Sequence, residues 1–575
     1  MEEGSKQAKV VGWLDVAGIV SLLAVMGHVM VHFRAYIYKF HSLSLFDGSW
    51  GWFIARFDRP AALVTYVGRF LTQFCCRPVV GIALLLLLYA AITWMMQRHV
   101  VHDRRLFFLA ALPALGHFLF LMGFGYEIYL IKADALIFTQ PFGMLCSLLL
   151  FAALKSVPST CDWRKALPVA AAIICYPLLG FYALLALLMY SVYALRNLPR
   201  SESTGMAYMA LLSALLFPLL FHMFVYNSGM GRYAWVEGLP YRDFIGRPEI
   251  YLPLYVALGV MLLLCFFRFR SSGYRTRWWH VVLPVLFFAA FICSVYALPN
   301  RDRLFHSQLR IEKMIDEQDW EGVLDEVAPM KVSNDVLVAY RNCALYATGH
   351  LAEKCCQYPT ATVPIVSGEQ ALSSSRVAGP TIFFHSGLVN FAARWSSELS
   401  LYSNYSTERM KYLAKTALIN GETDLARKYI SAIGRSTIGK GWARKYMEYA
   451  DDPEKLAQDP EYMLLKPLQM YEEQRWMPSD KAAYDVLLFY SFVEGDSRQM
   501  MEWNLAAAMM SKAGNYFEEV YPRYEAALAA ESLEVPEQVA KAYDFFTTLT
   551  YSDKDAADPR CYVYFFYNEN FAKPN

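Results

Sequence analysis

The chain changes from membrane-spanning to soluble patterning near residue 298. Before that point, apolar runs alternate with short basic loops, and after it no apolar run is long enough to cross a bilayer. A helical span needs roughly 20 apolar residues. The runs that reach or approach this length are Val10–Phe33, Val79–Met96, Leu106–Phe124, Leu136–Leu154, Pro168–Leu195, Met206–Tyr226, Tyr251–Phe267 and Val281–Leu298.

One of these runs, Pro168–Leu195, is too long for a single span, because as one helix it would measure about 42 Å against a ~30 Å hydrocarbon core. It contains Pro177 and Gly180, which interrupt helical hydrogen bonding. Short loops rich in Lys and Arg lie at 97–105, 155–165, 196–205 and 268–279. The positive-inside rule places all four in the cytoplasm only if this run enters and leaves on one side. We therefore predict a short broken hairpin and about nine membrane segments.

The charge of the chain changes at the same point as its hydropathy. Residues 1–298 hold 24 Lys and Arg against 13 Asp and Glu, which leaves 29 against 39 for the remainder. With nine segments and a cytoplasmic N-terminus, the acidic remainder lies outside. The sequence thus predicts a multi-pass membrane domain at 1–298 and a soluble domain outside the membrane at 299–575.

Residues 299–575 carry helical periodicity with little strand signal. The clearest unit is Ala414–Ile433, where the turn and small-residue positions of a tetratricopeptide (TPR) repeat hold Gly421, Ala426, Ile430 and Ile433. Weaker copies surround Trp320 and Gly349. The predicted fold class is therefore all-α, a polytopic helical membrane domain followed by a TPR-like α-solenoid.

Three further features of this second half lead to local predictions. Residues 359–380 are rich in Pro, Ser, Thr and Gly, which favours a long loop. The aromatic segment Cys561–Tyr567 predicts either a docking strand or a cap on the last repeat. The 11 cysteines show no C-x-x-C pair and no zinc spacing, so no metal site is predicted. A bridge from Cys343 to Cys355 or Cys356 stays open.

Two loops predicted on the outer surface, 34–78 and 227–250, are dense in aromatic and charged residues. This composition is typical of short amphipathic helices that lie along a membrane surface. Within the apolar runs, single histidines occur at His28, His117 and His222. An ionisable side chain at membrane depth indicates either a function or an imidazole that is hydrogen-bonded to a neighbouring helix.

Several short motifs resemble a family of bacterial multi-pass inner-membrane proteins of unknown function that carry a C-terminal TPR-like domain. The motifs are Gly68–Phe74, Gly349–Leu351, Gln357–Pro359, Gly387–Asn390, Ala393–Trp395 and Ala426–Tyr429. The resemblance covers most of the chain. It implies a location and an architecture, and it names no reaction.

The order of elements is also similar to that of the C-type glycosyltransferases, which use polyprenyl-phosphate sugars. In that family, an outer-loop carboxylate acts as a base or a metal ligand, and basic residues hold the phosphate. The likeness implies a catalytic role for Asp47 or Asp58, with a divalent cation as an optional cofactor. It implies substrate binding by Arg56, Arg59, Arg69, Arg232 and Arg242. This chain departs from the family where basic Arg34 and Lys39 follow the first span.

Three functions remain open on these grounds. The first is assembly or modification of an envelope glycoconjugate by a transferase with a lipid-phosphate donor. The second is a non-catalytic membrane scaffold whose TPR-like domain recruits envelope proteins, and the third is a transporter. No Walker A, G-x-S-x-G or H-E-x-x-H motif occurs. The expected partners are the bilayer, a polyprenyl-phosphate-linked sugar and envelope proteins, and the acidic second half excludes nucleic acid.

Overall fold

The computed structural model describes residues 2–131, 135–157, 162–198, 200–226, 233–240, 247–267, 279–297, 300–358, 362–367, 370–403, 405–469, 481–493 and 495–567. Over these residues the chain is all-α, with four two-residue strands as the exception. The chain divides into two compact units, Met1–Arg301 and Asp302–Asn575.

The first unit is built from apolar helices and a few short turns. Its α-helices are α1 (Glu2–His32), α2 (Arg34–Ser42), α3 (Trp50–Ala55), α4 (Ala62–Thr72), α5 (Pro78–Met96), α6 (Phe107–Met122), α7 (Leu136–Ser156), α8 (Leu167–Leu179), α9 (Phe181–Asn197), α10 (Arg200–Phe224), α11 (Leu252–Leu264) and α12 (Trp279–Ala297). α7 packs against α4, α5 and α9, while α6 packs against α5 and α11. Glycines permit close helix contact, since a Cβ on Gly143 would overlap Tyr182 and one on Gly116 would overlap Ala257.

Several helices of this unit have the dimensions of membrane spans. Among the described residues, four are long and apolar enough to cross a bilayer: Pro78–Val101, Arg104–Met122, Leu136–Ser156 and Ser203–Phe224. α1 and α2, bent by 74° between His32 and Arg34, provide a fifth if the pair is one span. By length and hydropathy, the described helices therefore give four or five full spans, fewer than the nine membrane segments that were predicted. The remaining apolar helices are shorter, and a 17-residue helix such as α9 rises only about 25 Å.

The run that was predicted to be a broken hairpin forms two helices, α8 and α9. They are separated by Gly180 at φ +57°, while Pro177 lies inside α8 and does not end it. Arg164, just before α8, lies beside Tyr190 near the middle of α9. α8 and α9 also pack against each other, so the run folds back on itself at Gly180.

Described residues of three predicted basic loops, 97–105, 155–165 and 196–205, meet at one end of the unit. Lys155, in the last turn of α7, donates a hydrogen bond from Nζ to the His99 carbonyl oxygen at 3.2 Å. Arg196 of α9 and Cys265, which follows α11, line the same cavity as Lys155. The opposite end of the unit holds loop 34–78, which folds into α2, α3 and α4, short helices of the kind that was predicted.

The second unit consists of helices of 4 to 17 residues. They are α13 (Arg303–Asp316), α14 (Trp320–Val327), α15 (Asp335–Ala347), α16 (Leu351–Lys354), α17 (Ser374–His385), α18 (Val389–Ser403), α19 (Thr407–Ile419), α20 (Thr423–Gly434), α21 (Lys440–Asp451), α22 (Pro453–Ala457), α23 (Pro460–Gln469), α24 (Ala482–Phe492), α25 (Arg498–Ser511), α26 (Gly514–Ala530), α27 (Glu537–Thr548), α28 (Asp553–Ala557) and α29 (Tyr562–Tyr567). From α17 to α22 each helix packs against the next one in the chain.

The predicted helix–turn–helix at Ala414–Ile433 is present as α19 and α20. Gly421 adopts φ +79° in the turn, and Ala426, Ile430 and Ile433 are at most 1% exposed. These three residues fall at the same face of α20 because they follow the spacing of a helix. Ala426 and Ile430 pack with residues of α19 and α21 into one core: Ala414, Ala417, Leu418, Ala443, Tyr446 and Ala450.

The prediction of a long loop at 359–380 is wrong for its second part, where a helix begins at Ser374. Strand β1 (Ser333–Asn334) pairs in parallel with β2 (Thr362–Val363), and β3 (Val366–Ser367) forms a hairpin with β4 (Gln370–Ala371). α17 then begins at Ser374, whose Oγ accepts a hydrogen bond from the Ala482 backbone at 2.7 Å. This tertiary contact and the burial of Ile382, Phe383 and Phe384 stabilise a helix that the local composition disfavours.

The remaining local predictions also have definite outcomes. Cys343, Cys355 and Cys356 are unbridged and buried, and Cys343 Sγ instead lies 3.8 Å from the Ile382 carbonyl oxygen. The segment Cys561–Tyr567 is not a strand. It forms α29, whose aromatic rings pack against Phe545 and Phe546 of α27 as a terminal cap.

A buried ion pair joins α19 to α23 in the second unit. Lys415 Nζ lies 2.8 Å from Glu461 Oε2, and the two side chains are 14% and 11% exposed. His385 Nδ1 lies 3.7 Å from Glu461 Oε1. Although burial disfavours its charge, Lys415 and His385 hold the pKa of Glu461 below its ordinary value. Burial lowers the pKa of His385 to about 4, against the opposing effect of Glu461.

We predict that Glu461→Gln destabilises the second unit by about 3–5 kcal/mol, because it leaves the Lys415 charge buried without a counter-charge. Hydrogen exchange of α19 and α23 in the full-length protein should accelerate accordingly. The matched control is Glu398→Gln, which breaks an exposed pair with Arg394 at 2.9 Å. That variant should change stability by less than about 1 kcal/mol. Equal effects from both variants would contradict the prediction.

Candidate functional site

Three segments of the first unit meet around Ala61, which is fully buried and has φ 69°. They are loop 34–78, the α8–α9 break at Gly180 and the segment 233–240. Added Cβ atoms on Gly180 and Gly238 would lie 2.9 and 2.8 Å from the Ala61 Cβ. The Phe181 backbone N–H donates to the Glu237 carbonyl oxygen at 2.8 Å. We call this contact of three backbones the Ala61 junction.

Glycine is required at positions 180 and 238 for two reasons: the backbone has a positive φ there, and a Cβ would overlap neighbouring atoms. Gly180 has φ +57° and Gly238 has φ +94°, and L-residues with a Cβ rarely adopt these values. A Cβ on Gly180 would also overlap the Glu237 carbonyl oxygen. The junction therefore fixes the backbone positions of Asp58, three residues before Ala61, and of Glu237, one residue before Gly238.

Glu237 faces a histidine in α10. His222 Nε2 lies 3.9 Å from Glu237 Oε1, and the His222 side chain is 4% exposed. His222 Nδ1 lies 3.1 Å from the Pro218 carbonyl oxygen. Since a carbonyl oxygen can only accept, Nδ1 carries a proton, and Nε2 is the nitrogen that can exchange a proton on the side of Glu237.

Two tyrosines complete this polar cluster. The Tyr176 hydroxyl donates to the Ala234 carbonyl oxygen at 2.6 Å and lies 3.4 Å from His222 Nδ1. Burial, and then the Glu237 and Asp58 carboxylates, raise the pKa of Tyr226 to about 12. Asp58 and Glu237, from two different loops, therefore act on the same phenol.

The two predicted catalytic carboxylates have different surroundings. Asp47 is 7% exposed, and its Oδ1 accepts a hydrogen bond from the Ser49 backbone at 2.8 Å. Ser49 in turn caps the N-terminus of α3 through Trp52. Asp47 thus stabilises a turn. The Asp58 side chain is 67% exposed and lies 4.0 Å from Arg59, which leaves its carboxylate accessible.

Two of the predicted phosphate-binding residues converge on one indole ring. The guanidinium carbons of Arg56 and Arg69 lie 4.4 and 5.2 Å from the Trp52 ring centre. Burial, and then the charge of Arg56, lowers the pKa of Arg69 to about 9. Burial also lowers the pKa of Arg56, an effect that Asp58 opposes and Arg59 increases. Such a group of mutually repelling cations attracts an anion.

Two predicted substrate-binding residues and two further buried side chains remain to be placed. Arg232 and Arg242 lie outside the described residues. Glu127, between α6 and α7, is 2% exposed and pairs with Arg247 at 3.9 Å. His117 is hydrogen-bonded to Tyr89 of α5 at 2.8 Å. This agrees with the alternative in which the imidazole bonds to a neighbouring helix. In the part of the chain that the structure describes, no three His, Cys, Asp or Glu side chains converge in a way that could hold a metal ion.

Sequence reasoning missed the Glu237–His222–Tyr176 cluster. Its members come from three separate segments, and only their positions in the fold bring them together. A usable signal was present, because Glu237 lies in loop 227–250, which is dense in charged residues, and His222 is a single histidine in the apolar run just before it.

The comparisons with known proteins place nearly the whole chain in one family. A family of unknown function, DUF6057, matches residues 10–562, which include nearly all of both units. The chain belongs to the DUF6057 family. No curated protein and no solved structure matches it. The predicted resemblance to a family of unknown function is therefore confirmed, and the DUF6057 match covers the Ala61 junction and every candidate residue.

We predict that Gly180→Ala lowers the stability of this DUF6057 protein by at least about 1–3 kcal/mol, because the Cβ disfavours φ +57° and overlaps the Glu237 carbonyl oxygen. Thermal unfolding of the detergent-solubilised protein measures the effect. Gly259→Ala is the matched control, since a Cβ there meets nothing within 4 Å and α11 accommodates alanine. A Gly180→Ala protein as stable as Gly259→Ala would refute the importance of the junction.

Proposed function

We propose that this protein acts in the assembly or modification of an envelope glycoconjugate, as a transferase with a lipid-linked phosphate donor. The observation that supports this most is the occurrence of two carboxylates and several arginines at one end of the first unit. The Asp58 and Glu237 carboxylates act on the same tyrosine there, and the arginines at 56, 59 and 69 lie in the same loop as Asp58.

The proposed chemistry needs an acceptor hydroxyl and a polyprenyl-phosphate sugar. Asp58 removes the hydroxyl proton as the hydroxyl oxygen attacks the anomeric carbon. The bond from that carbon to the phosphate oxygen breaks, and polyprenyl phosphate leaves with the electron pair. Arg56, Arg59 and Arg69 bind the phosphate and stabilise its charge, and Arg232 and Arg242 are assigned the same role. Glu237 positions His222 beside this reaction.

We predict that Asp58→Asn reduces transfer by about 10²–10⁴-fold, because the amide cannot accept the proton. The measurement is complementation of the glycoconjugate profile in a deletion strain, together with protein level and thermal stability. Arg56→Gln should weaken retention of polyprenyl phosphate by the purified protein and leave retention of the uncharged polyprenol unchanged.

The matched control is Asp103→Asn, at the opposite end of α5. Asp103 caps a helical turn by accepting from the Arg105 backbone at 3.0 Å, and asparagine can do the same. If Asp58→Asn complements as fully as Asp103→Asn, the transferase proposal fails. The scaffold proposal then leads, with a TPR-like solenoid built from the successive helices α17 to α22 as its recruiting surface.

The third alternative is a transporter, in which the break between α8 and α9 would line a substrate site. Gly180, at this break, is in close contact with Ala61 and Glu237. These contacts leave no space for a substrate there, which disfavours the transporter alternative.

We further propose that the first unit has nine membrane segments, α1 and α5 to α12, in the inner membrane of a double-membrane bacterium. The common end of the basic loops supports this arrangement, because it is the end that the positive-inside rule assigns to the cytoplasm. The Ala61 junction then faces the periplasm, and residues 302–575 lie in the periplasm as well.

A pair of reporter fusions tests this topology. A fusion after Arg200 should give a cytoplasmic signal, and a fusion after Asn575 should give a periplasmic signal, because an odd number of α-helical segments separates the two positions. Identical signals from both fusions would rule out the nine-segment arrangement.

A further inference from the structure

A cavity of about 500 Å³ opens at the basic end of the first unit. It lies between the ends of α7, α9 and α11 and the helical turn that follows α5. α9 separates it from the Ala61 junction by its whole length, about 25 Å. Four of the residues that line it are basic or imidazole side chains, and aromatic rings form part of the wall: His99, His102, Lys155, Arg196, Phe151 and Tyr193.

Lys155 is held in place by uncharged groups. Its Nζ donates to the His99 carbonyl oxygen at 3.2 Å and lies 3.4 Å from His102 Nε2. The same ammonium lies 5.1 Å from the centre of the Tyr193 ring. Among the described residues, no carboxylate forms an ion pair with Lys155, so this half-buried cation lacks a protein counter-ion there.

The tautomer of His102 directs the lysine towards the cavity. His102 Nδ1 lies 2.8 Å from the Val100 carbonyl oxygen, so Nδ1 carries the proton and Nε2 accepts from Lys155. Two of the three ammonium protons are thereby used by protein acceptors, which leaves one for a ligand. His102 has φ 57°, a conformation that a bulky side chain adopts only where the surroundings impose it.

These features define the ligand by charge and shape. The described residues that line the cavity include two fixed cations and no carboxylate, which selects an anion. The cavity lies at the ends of apolar helices, and rings of Phe151 and Tyr193 line it, so one part of the ligand is apolar. Basic pockets between membrane helices on the cytoplasmic side bind anionic lipid headgroups.

We propose that this cavity binds a phosphate group, and that the phosphate is the headgroup of an anionic phospholipid. Lys155 donates its remaining proton to a phosphate oxygen, and Arg196 supplies the second positive charge. The site is separate from the proposed transferase site, because the two lie at opposite ends of α9 and share no residue. Loss of one function leaves the other measurable.

The test measures lipid retention by the full-length protein in detergent, using native mass spectrometry. Wild-type protein should retain phosphatidylglycerol and release phosphatidylcholine. Lys155→Gln should weaken retention of phosphatidylglycerol by about tenfold or more, and Lys155→Arg should restore most of it. The matched control is Lys165→Gln, since Lys165 is exposed at the same end and does not line the cavity.

The outcomes distinguish the sources of the phosphate. Loss of lipid retention in Lys155→Gln, with retention kept in Lys165→Gln, supports the lipid headgroup. Stabilisation of wild type but not Lys155→Gln by inorganic pyrophosphate, without lipid retention, supports the same phosphate site with a soluble ligand. If Lys155→Gln does not fold, Arg196→Gln serves in its place. If neither ligand distinguishes the folded variant from wild type, the proposal is overturned.

Discussion

The close approach of three backbones at Ala61 is the constraint on which the candidate site depends. Gly180 and Gly238 leave no side chain between the segments, and the Phe181 N–H binds the Glu237 carbonyl oxygen. Hydrogen bonds of this kind are worth only about 1 kcal/mol each. The positions of Asp58 and Glu237 therefore depend on sterics at the two glycines more than on the single hydrogen bond.

The two ends of the first unit offer different chemistry as a result. At the Ala61 junction, the Asp58 and Glu237 carboxylates and the His222 imidazole lie near one another, and arginines occur in the same loop as Asp58, which is the basis of the proposed transferase chemistry. At the other end, Lys155 and Arg196 face a cavity whose described lining has no carboxylate. This asymmetry follows the distribution of Lys and Arg along the chain, because alternate loops between helices return to the same end. The two proposals both involve a phosphate-bearing lipid, but they place it at opposite ends of the unit.

Helical periodicity made much of the fold predictable. The break at Gly180 and the turn at Gly421 were visible because glycine is the residue that tolerates a positive φ. The start of α17 at Ser374 was not, since contacts with Asp335 and Ala482 stabilise it against a loop-forming composition. The sequence also predicted more segments than the number of described helices with the full length and hydropathy of a span, because helices such as α9, with 17 residues, are shorter than the roughly 20 residues that a full span needs.

The sequence by itself determined the helical class, the change from apolar runs to amphipathic helices, and the loops that share the basic end. It did so because hydropathy and charge are local properties that accumulate along the chain. It also identified Asp58 and the arginines of loop 34–78 as candidates. Only the tertiary structure decided that Asp47 supports a turn, that Glu237 faces His222, and that Lys155 borders a cavity. These relations join residues that are distant in sequence, and no local pattern encodes which side chains the packing of helices will bring together.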